Sequence, residues 1–386
     1  MNLGLKDVRH NIGRFLMTAA GVAFLVTASI GMIGLYRGIV ADALLVIDRI
    51  GADLWVVQGG RAGPFSESSA ISSGMDRRVE GVDGVTSVRR FVQISQQFEH
   101  RGRSLRASLT GLDYPRDNGG WVPLAAGRHI ASGHFEAIAD ISIGLKLGET
   151  VRLGRDDFTV VGLTRGMVDM GGDGLLVVTI NDAMAVAQRR TSEEVLLARN
   201  AADATSAATS GSSVAQDSKI SAALVTLDPA TDEAAVRRVI MAWGDANVLS
   251  RAEQQSLLLD QRLWRLRVQI LAFTGVLLTV MVIVISLIIY MLTMEKRHQI
   301  AMLKLIGARN TVIVVMIAEQ AYLIGAGGLA LGLVLSNVIF PWFPRRVIIE
   351  ASDIALLGLA MAVICGFASL LGISRALKVR AQEVLS

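Results

Sequence analysis

A single cysteine in 386 residues, Cys365, excludes an internal disulfide and leaves a thiolate metal site without companion ligands. A small packing residue inside an apolar run is the reading that remains. The chain also lacks a Gly-x-x-x-x-Gly-Lys-[Ser/Thr] phosphate loop, and with it a nucleotide site of that kind. "GAGGLALG" (Gly325–Gly332) has the glycines but no lysine, and its apolar setting points to close helix packing. His129, His134 and Glu136 lie close in sequence, but positions five apart share no helical face and no further ligand cluster joins them. Asp169, Asp173 and the glycines between them lack the calcium-loop pattern and read as a surface turn. No nucleophile–base constellation appears, so neither an enzyme nor a cofactor or metal site is expected.

What the chain has in excess is apolar residues, 52% of the total, gathered in blocks. Four blocks reach the ~20 residues that cross a bilayer: Phe15–Leu35, Val268–Leu292, Val312–Phe340 and Ile354–Ile373. Buried helices of a soluble core keep a polar stripe and run shorter. The first block has a basic flank in Lys6, Arg9 and Arg14, but its apolar core of about 21 residues exceeds the roughly 7–15 of a cleaved secretory segment. A retained helix is expected. Ionisable residues are almost absent from the four runs. Glu319 is the main exception, read either as functional or as paired with a basic residue at the interface.

Basic residues set the orientation. The N-terminus carries Lys6, Arg9 and Arg14, the segment after the second run Lys296, Arg297, Lys304 and Arg309, and the C-terminus Arg375, Lys378 and Arg380. Between the third and fourth runs, Arg345 and Arg346 are offset by Glu350 and Asp353. One topology fits, with both termini and the segment after the second run in the cytoplasm. The formal charge of +4 reflects this bias and not nucleic-acid binding.

The expected fold is an α-helical membrane protein with four transmembrane helices and an extracytoplasmic α+β domain inserted between helices 1 and 2. Its parts are an amphipathic cytoplasmic segment 1–14, a first span 15–40 with a stalk to about 50, the domain 51–251, and a stalk with second span 252–294. A cytoplasmic segment 295–310, a third span 312–340, an external loop 341–353, a fourth span 354–374 and a tail 375–386 complete it. In the domain, "ADLWVV" and "GLLVVTI" read as strands, and "NDAMAVAQR" after the second as helix. The residues around "HRGRS" and around Gly154 alternate as hairpins do. "SAALVTLD", "TDEAAVRRVIMAW" and "ANVLS" form a β-α-β succession with Asp232 near the helix start. Asn200–Ser218 is small and polar, an exposed loop. A continuous helix from about Ala252 to Met294 would be roughly 60 Å long. The first helix extends likewise toward Gly51 with Leu44, Ile47 and Ile50 on one face.

"MEKRHQIAMLKLIGARN" (Met294–Asn310) separates the second and third runs. Ile300, Leu303 and Ile306 recur on one helical side, Lys296, Arg297 and Lys304 on others, and Gly307 suits the left-handed position that ends a helix. Such a segment lies on an anionic leaflet or enters a groove on a partner. It resembles the segment Glu-Arg-x-x-Glu-Ile-x-x-Leu-[Lys/Arg]-x-[Leu/Ile]-Gly-Ala of MacB- and FtsX-type ABC transporter permeases. Glu295, Arg297, Ile300, Leu303, Lys304, Gly307 and Ala308 match, while Gln299 replaces a Glu. "MNLGLKDVRHNIGRFLMTAAGVAF", "GLKLGETVRLGRDDFTVVGL" and "ISRALKVRAQEVLS" are similar to other parts of the family, although Ala381 stands where Pro is usual. The DevC-like subgroup, which works with membrane-fusion proteins, is the nearest.

The resemblance implies a non-catalytic permease subunit working with a separate cytoplasmic ABC ATPase. The ATPase would grip a coupling helix made of Glu295, Lys296, Arg297, Ile300, Leu303, Lys304, Ile306, Gly307 and Ala308. It further implies a permease dimer and a membrane-fusion partner, with export or extraction of a lipid, lipoprotein, peptide or drug-like substrate. Gly21, Ala28, Gly31 and Gly34 are small residues that would pack the dimer or helices within one protomer. The rival implication is an FtsX-like complex that regulates a cell-wall hydrolase without transport.

Overall fold

The computed structural model describes residues 12–189, 219–307, 309–343 and 345–378. Most of the N-terminal segment 1–14, the polar run Asn200–Ser218, Ala308 and the end of the tail lie outside these residues. The chain divides into two compact units. One joins the stretch ending at Ile39 to the stretch beginning at Arg265, and the other is Val40–Trp264.

The strands are β1 (Leu54–Gln58), β2 (Ile71–Ser72), β3 (Val85–His100), β4 (Arg103–Leu112), β5 (Leu124–Gly127) and β6 (Glu136–Asp140). They continue with β7 (Thr150–Leu153), β8 (Asp156–Thr164), β9 (Leu175–Thr179), β10 (Lys219–Ile220), β11 (Ala222–Leu227) and β12 (Ala246–Ser250). The helices are α1 (Ile12–Ile50), α2 (Met75–Glu80), α3 over 180–189, α4 (Glu233–Met241) and α5 (Arg251–Leu257). After them come α6 (Trp264–Glu295), α7 (Arg297–Leu305), α8 (Asn310–Ile339) and α9 (Ala351–Lys378).

In Val40–Trp264 ten strands form one sheet ordered β12-β1-β11-β3-β4-β9-β6-β8-β5, with β7 beside β8, while β2 and β10 pair separately. The 16-residue β3 is its spine, pairing with β11 through Val85–Phe91 and with β4 through Val92–His100. The hairpin between β3 and β4 closes on Arg101 and Gly102, both at positive φ (50° and 72°), the two-residue turn whose twist matches that of its strands. β9 is buried on both faces between β4 and β6, which explains why "LLVVT" is a continuous apolar run without alternation. β11, α4 and β12 are the expected β-α-β succession. The Asp232 side chain accepts from the Ala234 N–H at the start of α4, and Val236 and Ile240 enter the core.

The continuous helix expected from Ala252 to Met294 does not form. α5 passes into a π turn at Leu258–Arg262 and α6 begins only at Trp264. The Leu263 N–H donates to Leu258 O at 3.0 Å, and both leucines are buried. Five residues apart on an α-helix they would point about 140° from each other. The wider turn turns both inward.

Among the described residues, four helices are long and apolar enough to cross a membrane: those within Phe15–Ile50, Trp264–Glu295, Asn310–Trp342 and Ala351–Leu370. Their core gathers Val22, Val26, Ile30, Met281, Ile317 and Met361. Glycines set the approach of the helices. A Cβ on Gly328 or Gly332 would meet Val22 or Val26 of α1 at 2.5–2.6 Å, and one on Gly325 would meet Cys365 Sγ at 2.4 Å. Cys365 is thus a packing residue, and the "GAGGLALG" glycines are a packing face. Of the four small residues on α1, Gly31 lies under Phe340 and Gly34 under Val347 of the same chain, whereas Gly21 and Ala28 are exposed.

Residues 346–350 run along α1 as a strap. The Ile348 N–H donates to Gly34 O at 3.0 Å, and a Cβ on Gly38 would stand 1.8 Å from Arg346 O. Arg37 secures the strap: its Nη1 is 2.8 Å from Glu350 Oε1 and its Nε 2.7 Å from Asp353 Oδ2.

Candidate functional site

α7 is a nine-residue helix between two of the apolar helices. It closes with the Gly307 N–H donating to Lys304 O at 3.1 Å. Gly307 has φ +87°, a conformation that a Cβ would strain, so the stop falls at the residue expected to provide it.

The expected single face of Ile300, Leu303 and Ile306 does not survive. Ile300 is 1% exposed and belongs to the helix core, Leu303 is half-buried and Ile306 is 81% exposed. Positions six apart on a helix are about 120° from each other, so Ile300 and Ile306 cannot both face one partner. Ile300 and Ala301 anchor α7 instead. The outward side, opposite Ile300, carries His298, Met302, Leu305 and Ile306. Arg297, Glu295 and Gly307 are also exposed, whereas Lys296 and Lys304 are half-buried. Ala308 is outside the described residues. Met302 and Leu305 do not stand out in the sequence, where the spacing predicts one apolar face. The segment has two, one turned inward and one left open.

Within Val40–Trp264, two ties meet at the end of α1. Arg251 Nη2 is 3.1 Å from Asp48 Oδ1 and Gln255 Nε2 donates to the same oxygen at 2.6 Å, joining α5 to α1. Arg89 Nη2 donates to Ile50 O at 3.1 Å, where the helix dipole favours a cation. The Asp48 pair is half-exposed, so it contributes only about 0–1 kcal/mol and acts as a register mark.

The histidine loop is structural. His134 Nδ1 lies 2.8 Å from Asp182 Oδ1, and Glu136 holds Arg128 while accepting the Ala131 and Ser132 N–H groups. Among the described residues no cluster of three or more His, Cys, Asp or Glu is placed to hold a metal. The Arg128 guanidinium and those amides hold the Glu136 carboxyl well down, from 4.5 to about 2. A depressed carboxylate stabilises the fold fully above the unfolded value and loses that contribution as pH falls toward the folded one. Protection of the Ala131 and Ser132 amides from hydrogen exchange is thus expected to persist below pH 4.5 and to fade only toward about pH 2. In Glu136→Gln that acid step should vanish. The Asp169–Asp173 turn closes through the Asp169 N–H to Asp173 O at 2.9 Å and meets Arg106 at 2.8 Å. It lines a cleft of about 380 Å³ together with Asp42 and Phe65, so it is not a plain surface turn. Glu319 is half-buried in α8.

The model of the MacB-like periplasmic core domain matches residues 15–243, and that of the FtsX-like permease C-terminal region matches residues 271–381. The uncharacterized ABC transporter permease Rv0072 of Mycobacterium tuberculosis is 24% identical over 376 residues, which are 97% of this chain and 96% of its own. The uncharacterized ABC transporter permease Mb2592 of Mycobacterium bovis is 21% identical over 372 residues, 96% and 95% of the two chains. Among solved structures, the periplasmic region of MacB from Actinobacillus actinomycetemcomitans is 13% identical with a TM-score of 0.38, covering 55% of this chain and 95% of that one. The extracellular domain of the noncanonic ABC-type transporter YknZ from Gram-positive bacteria is 14% identical with a TM-score of 0.35, covering 52% and 100%. With the first of these family models spanning more than half of its length and the second following it, the chain belongs to the MacB/FtsX-type permeases of ABC transporters.

Proposed function

We propose that this permease couples ATP hydrolysis by its ATPase partner to movement of the domain between its first and second membrane helices. In this reading both termini and α7 are cytoplasmic, four helices span the membrane and two protomers act together. The product of the cycle is export or extraction of an amphiphilic or peptide substrate with a membrane-fusion partner. An ATPase partner in the cytoplasm follows from family membership.

The observation that carries the reading is the outward side of α7. Met302, Leu305 and Ile306 are 45%, 53% and 81% exposed on a helix pinned from behind by Ile300. A rigidly seated helix with an open apolar side suits insertion into a protein groove. The length of α1 supports transmission, since it runs 39 residues without a break through the point where the two units divide. Regulation of a cell-wall hydrolase would use the same coupling, and the extent of the domain favours export over it.

Cys365 is 1% exposed, so Ile306→Cys creates the single accessible thiol for a test. That thiol should react with a water-soluble maleimide in the permease alone and be protected once the ATPase is bound. Labelling at the same rate with the ATPase present would remove α7 from the interface.

A further inference from the structure

The chain carries 14 methionines, and their surroundings differ. Met75, Met167, Met184, Met281 and Met361 are buried, while Met32, Met170 and Met316 are half-buried. Met17, Met291 and Met294 are exposed but lie in candidate membrane spans, where acyl chains cover an outward side chain. Met241 is exposed in the unit Val40–Trp264, across the bilayer from α7 in the proposed topology. Among the described residues, Met302 is the one exposed methionine that lies outside the spans and on the cytoplasmic side.

The position of Met302 on α7 gives its thioether a consequence. Leu305 and Ile306 stand three and four positions further on, so the three side chains share one outward side. Ile300 holds the helix from behind, so that side stays turned outward. A thioether in such a patch is apolar and polarisable, and it adapts to the surface it meets. Its sulfoxide is polar, and a polar group pressed into an apolar groove without a partner opposes docking.

We propose that Met302 is an oxidation site and that its sulfoxide detaches the ATPase from α7. The inference rests on the coupling role proposed for α7. A peroxide of the cytoplasm is the oxidant. The sulfur lone pair attacks one peroxide oxygen, the O–O bond breaks, and the departing hydroxide takes the proton left on the new S–O group to become water. Sulfur loses two electrons and the peroxide gains them. Docking covers the thioether, so the reaction falls on permease that has released its ATPase. Oxidation then holds the two subunits apart until sulfoxide reductases restore the thioether.

In the test, the full-length permease is treated with hydrogen peroxide, alone or with its ATPase bound, and peptide mapping follows the one-oxygen mass gain at each methionine. Met302 should gain oxygen ahead of the buried methionines in the free protein and be shielded in the complex. Affinity for the ATPase should fall about tenfold on oxidation, the loss expected when one apolar side chain of an interface turns polar. Treatment with methionine sulfoxide reductases should restore it. Each variant is compared with its own untreated sample. Met302→Leu, which has no sulfur, should show no fall, and Met294→Leu should fall as the parent does. Unchanged affinity once Met302 is fully oxidised, or an equal fall in Met302→Leu, would overturn the proposal. Either result leaves the docking of α7 standing if Ile306→Cys is still shielded by the ATPase. If a bound ATPase shields neither that thiol nor Met302, the coupling reading falls and this inference with it.

Discussion

Leu305→Asp combined with Ile306→Asp will abolish capture of the ATPase while the membrane helices stay folded. Both side chains are more than half exposed and neither belongs to the helix core. Burying a large aliphatic side chain in a partner groove stabilises a complex by about 1.5–3 kcal/mol, and a carboxylate forced into the same groove adds a desolvation penalty. The double variant should weaken association by at least ~100-fold, near what loss of two interface hot spots produces. Charge reversal at Arg297 and Lys304 should act in the same direction but less strongly, because rim charges mainly set association rate. Ile300→Asp is the contrasting control. Its side chain is 1% exposed in the core, so it should lower the melting temperature before it affects coupling. The measurements are affinity of the purified permease for its ATPase, ATP hydrolysis by the reconstituted complex, and thermal unfolding of each variant. Undiminished affinity in the double aspartate variant would refute the role of α7.

Gly38→Ala should be the most disruptive single methyl in the membrane unit. The added Cβ would stand 1.8 Å from Arg346 O and 2.8 Å from the carbonyl carbon, both backbone atoms that cannot swing aside. The strap must leave α1, and the Ile348 N–H loses its acceptor Gly34 O. Arg37 would be drawn from Asp353, whose side chain is only 9% exposed and whose charge then lacks its partner. Overpacking costs about 1–3 kcal/mol and breaking a buried ion pair up to about 3–5 kcal/mol, reduced here because Arg37 is partly solvated. A destabilisation of roughly 3 kcal/mol or more is expected, read as thermal unfolding in detergent. Gly31→Ala serves as the comparison. Its Cβ would meet only the Phe340 ring at 3.2 Å, which can give way, so the expected cost is below about 1 kcal/mol. Equal tolerance of the two substitutions would mean that the strap does not hold α1.

The differences between sequence and structure follow one pattern. Hairpins, the β-α-β succession and the stop at Gly307 were legible because each depends on neighbours a few residues away. The break at Leu258–Arg262 was not, since that stretch contains no proline or glycine. It is widened by the demand that Leu258 and Leu263 both reach a core. The orientation of α7 was hidden for a related reason. Its apolar residues surround much of a short helix, and only packing shows which of them are taken.

By itself the sequence determined that four apolar runs flank a strand-rich domain, and that a short cationic helix ends at Gly307 between two of those runs. Run length, alternation and a missing side chain are local quantities, so they are written in the order of residues. The tertiary structure decided that Ile300 faces inward and Ile306 outward, that Glu350 and Asp353 serve Arg37, and that Gly34 and Gly38 receive the strap. Each of those outcomes is a choice between partners far apart in the chain, and only the packed helices bring one of them within reach.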